Sequence, residues 1–205
     1  MDTRRGTLII ACGALAREVH ALRQANGWEF DLESLPPELH NRPAHIAPAV
    51  RKQIHAHRHE YRRIFVAYAE CGTMGRLDAL LAEEGVERLP GPHCYALYAG
   101  ERTIAEMTDA EPGTFFLTDF LARHFERLVI QGLGIDRHPE LADEYFRHYR
   151  RVVYLAQTHS SELLERACRV ASLLGLEFEH RYTGYGELGA RLGELAGQGA
   201  PGWQT

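Results

Sequence analysis

Apolar and polar positions along this chain fall into blocks whose period switches repeatedly between that of a strand and that of a helix. The run "GTLIIACG" (6–13) is short, apolar and closed by glycine, which predicts a buried strand. "ALAREVHALRQANG" then returns its apolar residues at helical spacing and stops at Gly27. "WEFDLESLP" alternates and ends at two prolines, predicting a second strand. A loop follows, and a helix is predicted from about His45. "IFVAYAECG" predicts a third strand, apolar enough to be covered on both faces, and "RLDALLAEEGV" predicts a helix. "ERLPGPHCYALYAGER" suits a brief strand, a turn and a helical stretch.

The second half repeats the alternation after a change of character. "EPGTFFLTDFLARHFERLVIQGLG" opens as a turn and an aromatic strand and continues as a helix, with another helix in "HPELADEYFRHYR". "RVVYLAQT" is a strand, and "HSSELLERACRVASLLGL" a helix capped by Ser160 or Ser161. "EFEHRYTG" and "YGELGARLGELAG" supply a last strand and a closing helix. Strands alternating with helices imply parallel pairing and right-handed crossovers. The expected fold is α/β: a three-layer sandwich with a mostly parallel sheet and a helical segment in the middle of the chain. One domain over residues 1–198 and a loose tail over 199–205 are expected.

Composition narrows the partners. The 205 residues are 45% hydrophobic and 25% charged, with a formal charge of −5 and acidic and basic residues interleaved. That pattern lacks a nucleic-acid footprint. The first apolar run is soon interrupted by Arg17 and Glu18, so neither a secretory leader nor a membrane span is read there. A cytoplasmic protein acting on a small molecule, with no nucleic acid and no membrane as partner, is the expectation. In a reducing compartment the four cysteines read as thiols, ligands or nucleophiles rather than disulfides.

Three of those cysteines share a placement. Cys12, Cys71 and Cys94 each follow an apolar strand run, and Cys12 and Cys71 are each followed by glycine. In a parallel sheet the functional crevice lies beyond the carboxyl ends of the strands, so topology would bring the three sulfurs to one edge. A helix N-terminus after each Cys-Gly favours thiolate. Thiolates gathered together repel unless a cation lies among them. Zinc is the simpler occupant; a [4Fe-4S] cluster held by three cysteines, with one iron open, is the rival. His93 and His159 are candidate fourth metal ligands, and Glu70 is the candidate catalytic acid–base group. A metal-free enzyme with Cys71 as nucleophile and His93 as base is a second reading, and a non-catalytic metal or cobamide delivery module a third. Cys168, in mid-helix, reads as a small core residue.

The ordered motifs "IIACGAL", "AYAECG", "PGPHCYALYAG" and "EPGTFFLTDFL" resemble a bacterial and archaeal family of domain-of-unknown-function proteins. Genes of that family often lie beside corrinoid-dependent methyltransferases and their reductive activators. Its Cys-Gly, Tyr-x-x-Cys-Gly-like and His/Cys motifs fall on Cys12, Cys71 and His93–Cys94, and its aromatic motif on Gly113 to Thr118. Two departures are Ala69, where relatives often have glycine, and His93, where they have an acidic residue. The resemblance implies an enzyme or accessory factor in one-carbon metabolism linked to corrinoid chemistry, with corrinoid methyltransferase-system proteins as partners.

Secondary candidates are weaker. His55 and His59 lie one helical turn apart on a strongly basic helix, which reads as a solvated face. Phe115 and Phe116 suit core packing, with Glu111 and Thr118 near a pocket mouth. In "RYTGYGEL" the turn amides around Gly184 could receive an anion or a substrate carboxylate, with Tyr182 or Tyr185 as hydroxyl donor, a candidate cofactor-binding turn.

Overall fold

The computed structural model describes residues 3–196, so the expected tail over 199–205 lies outside the described residues. The strands expected from the pattern are present, and each of their pairings is parallel among the described residues. This is the α/β class with parallel sheets. The strands divide between two sheets, however, and the chain into two compact units: Met1–Cys94 with Glu187–Thr205, and Tyr95–Gly186. The expected single domain over 1–198 was an inference from unbroken alternation, which carries no record of which strands share a sheet.

In the first unit the strands are β1 (Arg5–Cys12), β2 (Asp31–Leu35), β3 (Tyr61–Ala67) and β4 (Glu87–Arg88). They lie in the order β2-β1-β3-β4. The chain moves outward from β1 to β2, then returns across β1 to place β3 on its other side. Right-handed crossovers therefore set α1 (Ala16–Asn26) on one face, and α2 (Ile46–His57) and α3 (Arg76–Glu84) on the other. Consistently, α2 packs on α3, and the closing helix α9 (Leu188–Leu195) packs on α1. Covered on both faces, β1 and β3 carry unbroken apolar runs: Leu8 to Cys12 and Phe65 to Ala69 are all buried. A glycine in the left-handed conformation stops α1 at Gly27, as the pattern predicts, and another stops α3 at Gly85.

In the second unit β5 (Thr114–Thr118), β6 (Arg151–Ala156) and β7 (Glu177–Tyr182) pair in chain order. One face buries Leu117, Val152, Tyr154 and Ala156 against α6 (Asp119–Phe125) and α8 (Ser161–Leu174). The other buries Phe116, Val153 and Leu155 against Ile104 and Met107 of α5 (Glu101–Ala110). The aromatics of the "GTFFLT" stretch are thus core, Phe115 meeting Phe125, Phe146 and Tyr149 edge-on. Thr118 caps α6, accepting from the Leu121 N–H at 3.3 Å, and Ser160 caps α8 in the same way. The expected middle helix continues from α6 as a π-helical stretch, Glu126–Gln131, and is followed by α7 (Leu141–Phe146). The short α4 (Cys94–Ala99) opens at Cys94. No helix among the described residues is long and apolar enough to cross a membrane.

A buried carboxylate organises the carboxyl end of the second sheet. Asp119, 2% exposed, accepts hydrogen bonds from the Tyr154 hydroxyl at 2.6 Å, the Gln157 N–H at 3.0 Å and the Thr158 hydroxyl at 2.5 Å. The Gln157 side chain returns the contact by accepting from the Asp119 N–H at 2.8 Å. Burial and the Asp119 carboxylate together hold the Tyr154 hydroxyl protonated, far above its ordinary range. Asp119→Ala leaves the Tyr154 hydroxyl without this acceptor in a dry interior, so the variant should lose about 2–4 kcal/mol. Thr158→Val, which removes one donor at the rim, should lose about 1 kcal/mol. Urea unfolding of the two variants beside wild type measures both losses, and equal losses would contradict the assignment.

Candidate metal centre

The first sheet's order reverses between β1 and β3, and in open parallel sheets a crevice forms at such a switch, beyond the carboxyl ends. Cys12 is the last residue of β1, and the pairing of Ala11 with Ala67 sets Cys12 and Tyr68 next to each other at that edge. Cys71 lies four positions past the end of β3 and Cys94 six past the end of the short β4, farther from the strand ends than the apolar runs suggested.

The two Cys-Gly pairs serve different purposes. At Gly13 the need is close approach: a Cβ there would lie 2.7 Å from the Leu35 carbonyl and 2.8 Å from Pro37 Cδ. This lets the chain leaving β2 pass directly over Cys12. At Cys71 the need is a turn. Cys71 itself takes φ 51°, Gly72 77° and Met74 56°, left-handed values that cost a side-chain-bearing residue about 1–3 kcal/mol.

Glu70 holds that turn together. Its carboxylate accepts from the Gly72 N–H at 2.8 Å, the Thr73 hydroxyl at 2.6 Å and the Gly75 N–H at 3.0 Å. The Thr73 hydroxyl and these N–H groups hold it below the ordinary carboxylate range, so near neutrality it is an anion committed to its own loop. The expected acid–base role is replaced by a structural one. The backbone N–H groups of Glu70 and Cys71 donate to the carbonyls of Gly91 and Pro92, at 3.1 and 2.9 Å, tying this loop to the segment that carries His93 and Cys94. Arg88, paired with Asp78 at 2.6 Å, donates to the Leu89 carbonyl and brings positive charge toward Cys71.

The three sulfurs come within electrostatic reach of one another. Charge on Cys71 raises the pKa of both Cys12 and Cys94, and charge on Cys12 raises that of Cys94. Burial is the larger effect at all three. It pushes Cys12 up to about 12 and Cys71 up to about 11, and raises Cys94 well above the usual thiol range. Backbone N–H groups oppose it, the Ala14 N–H lying 3.3 Å from Cys12 Sγ, but are outweighed. The expectation that helix N-termini favour thiolate is therefore corrected: without a cation, desolvation keeps these groups as thiols. Among the described residues, no three His, Cys, Asp or Glu side chains stand where they could already share one metal ion.

Three more groups belong to this cluster and were missed in the sequence. His40 places both ring nitrogens 3.9 Å from Cys12 Sγ, and burial, with His93 nearby, lowers its pKa. Its ring stacks on Tyr68 with centroids 6.1 Å apart and planes 9° from parallel. Tyr68 is fully buried, and its hydroxyl, without a hydrogen-bond partner, lies near Cys12 and Cys71. Glu18 is a buried carboxylate of α1 whose charge reaches Cys94. His40 follows the strand end of β2 much as Cys12 ends β1, and that placement is the signal for it in the sequence.

The remaining candidates lie elsewhere. His93 is exposed. His159 belongs to the second unit, where its ring stacks on exposed Tyr182 at 3.8 Å. The Thr183 and Gly184 amides donate to the Ala156 carbonyl at 2.9 and 3.2 Å, so they are spent on the turn rather than offered to an anion or cofactor. Tyr185 is half-buried in that turn. His55 pairs with Glu84 at 2.8 Å on the surface, as a solvated face should.

A family model described as "Protein of unknown function (DUF1638)" matches residues 34–192. The chain belongs to that family. The matched span takes in His40, Tyr68, Cys71 and Cys94 and begins after Cys12. No curated protein matches. Among solved structures, a sugar transporter from Clostridium phytofermentans is similar at 12% identity and a TM-score of 0.35, over 95% of this chain and 94% of that one.

Raised thiol pKa values make stability depend on pH. Folded values above the ordinary 9.0 mean that the thiols stabilise the fold fully below about pH 9. That contribution is lost as pH climbs through about 11 to 12. Metal-stripped protein should accordingly show a falling urea midpoint above pH 9, and Cys12→Ala should make the fall shallower.

Proposed function

We propose that the first unit of this DUF1638 protein binds a thiophilic metal at Cys12, Cys71 and Cys94, with zinc as the favoured occupant and a [4Fe-4S] cluster as the rival. The observation that supports the reading is that three cysteines from three separate parts of the chain lie close enough for charge on one to act on another, with Cys12 at the carboxyl end of β1 beside the switch point. Soft thiolate donors select zinc or iron–sulfur clusters over hard cations. The sulfurs share no single centre among the described residues, so the reading requires them to turn toward one another. A cysteine rotamer hop carries its sulfur by about 3 Å without backbone movement. A bound cation would also reverse the electrostatics, stabilising together the thiolates that burial now suppresses.

A metal-free nucleophile at Cys71 is the poorer reading. Its thiol is pushed up to about 11, and the neighbouring Glu70 is occupied with its own loop. The cytoplasmic setting, where thiols stay reduced, and a role as enzyme, accessory or delivery factor in one-carbon metabolism linked to corrinoid methyl transfer complete the proposal. That part is supported by the resemblance of the ordered motifs.

Full-length protein purified without oxygen should contain about one zinc per chain, or about four irons with matching sulfide if the cluster is the occupant. Cys12→Ala, Cys71→Ala and Cys94→Ala should each lose most of the metal, while Cys168→Ala keeps it. Wild type free of metal after reconstitution, or a Cys71→Ala protein that retains the full complement, would refute the reading.

A further inference from the structure

The nitrogen donor of this centre can be identified from hydrogen bonding and distance. His40 lies in the 3₁₀ turn Pro37–Asn41 that leaves the carboxyl end of β2. Its Nδ1 is 3.1 Å from the Pro37 carbonyl. A carbonyl only accepts, so Nδ1 carries the proton and Nε2 keeps its lone pair. Metal-bound histidines are commonly held this way, one ring N–H on a carbonyl and the other nitrogen on the ion. Tetrahedral zinc, with bonds of about 2.3 Å to sulfur and about 2.0–2.1 Å to nitrogen, separates those two donors by about 3.6 Å. Nε2 is already 3.9 Å from Cys12 Sγ. Because Nδ1 is equally distant from the sulfur, a turn of the ring is what would aim the Nε2 lone pair at a shared ion.

Tyr68 supplies an independent observation. Its hydroxyl is fully buried and set against Cys12, yet makes no hydrogen bond of ordinary length and angle, and an unmet buried donor is rare. A neutral thiol is a weak acceptor, whereas a metal-bound thiolate is an anion and accepts strongly. A metal-bound Cys12 thiolate beside it would give the Tyr68 hydroxyl the strong acceptor it lacks.

We propose that His40 Nε2 is the fourth ligand of the tri-cysteine centre, giving one nitrogen and three sulfur donors, with the Tyr68 hydroxyl donating to a bound sulfur. This rests on the tri-cysteine reading and makes it more specific. Four protein donors fill a tetrahedral sphere and leave no position for substrate. Such a centre holds, senses or hands on metal rather than acting as a Lewis acid.

Cobalt(II), which reports zinc geometry through its visible bands, is the probe, added anaerobically to the metal-stripped full chain. Wild type should give intense tetrahedral bands and a near-ultraviolet thiolate-to-cobalt band. His40→Gln should keep the thiolate band, shift the visible bands and bind zinc at least about tenfold more weakly. His93→Ala and His159→Ala should match wild type. His40→Cys, which retains a donor, should fold with metal and move the visible bands toward a four-thiolate spectrum, so the test survives if His40→Gln fails to fold. His40→Cys or His40→Gln spectra identical to wild type, or the loss falling on His93→Ala, would overturn the His40 assignment alone. No thiolate band in wild type, or an unchanged one in Cys71→Ala, would overturn the tri-cysteine centre beneath it.

Discussion

Desolvation of sulfur is the constraint around which the first unit is arranged. Cys12 is 3% exposed, and burial is the largest influence on all three clustered thiols. In a dry setting a lone thiolate is strongly disfavoured, and several thiolates together more so. The protein thus has two electrostatic states open to it: neutral thiols, or thiolates compensated by a cation. The backbone around these thiols is fixed by the left-handed turn at Cys71, the carboxylate of Glu70 that secures it and the tight passage over Gly13.

The second unit shows what the same architecture looks like when its polar interior is complete. Asp119 is as buried as Cys12, yet the Tyr154 hydroxyl, the Gln157 N–H and the Thr158 hydroxyl all donate to it. That closed set stiffens a sheet end. In the first unit the Tyr68 hydroxyl is equally dry and has no such acceptor. Sheet order separates the two cases further. The order β2-β1-β3-β4 reverses direction, the arrangement at which open parallel sheets form a crevice, whereas β5-β6-β7 runs one way within its sheet.

Much of this was legible in the chain because local chemistry decides it. The apolar runs at 6–13, 64–72 and 151–158 mark strands since a parallel strand covered on both faces has no polar side to show. Gly27 and Gly85 stop helices because they accept the left-handed conformation. The place of Cys12 at the carboxyl end of β1 followed from one rule about strand ends. Charge state did not follow: helix N-termini suggested thiolates, while burial, a property of the packed interior, made them thiols. The commitment of Glu70 did not follow either, since its bonds from the Gly72 and Gly75 N–H groups and the Thr73 hydroxyl are recorded by no residue pattern.

The sequence by itself determined element type and order, parallel pairing and the candidate sulfurs, because periodicity, caps and chain direction act over a few residues. Tertiary structure decided how the strands divide between sheets, which histidine faces the sulfurs and which carboxylate is already spent. Those depend on register and burial between segments as distant as Cys12, His40 and Tyr68, and such distances are set only when the sheet closes around its switch point.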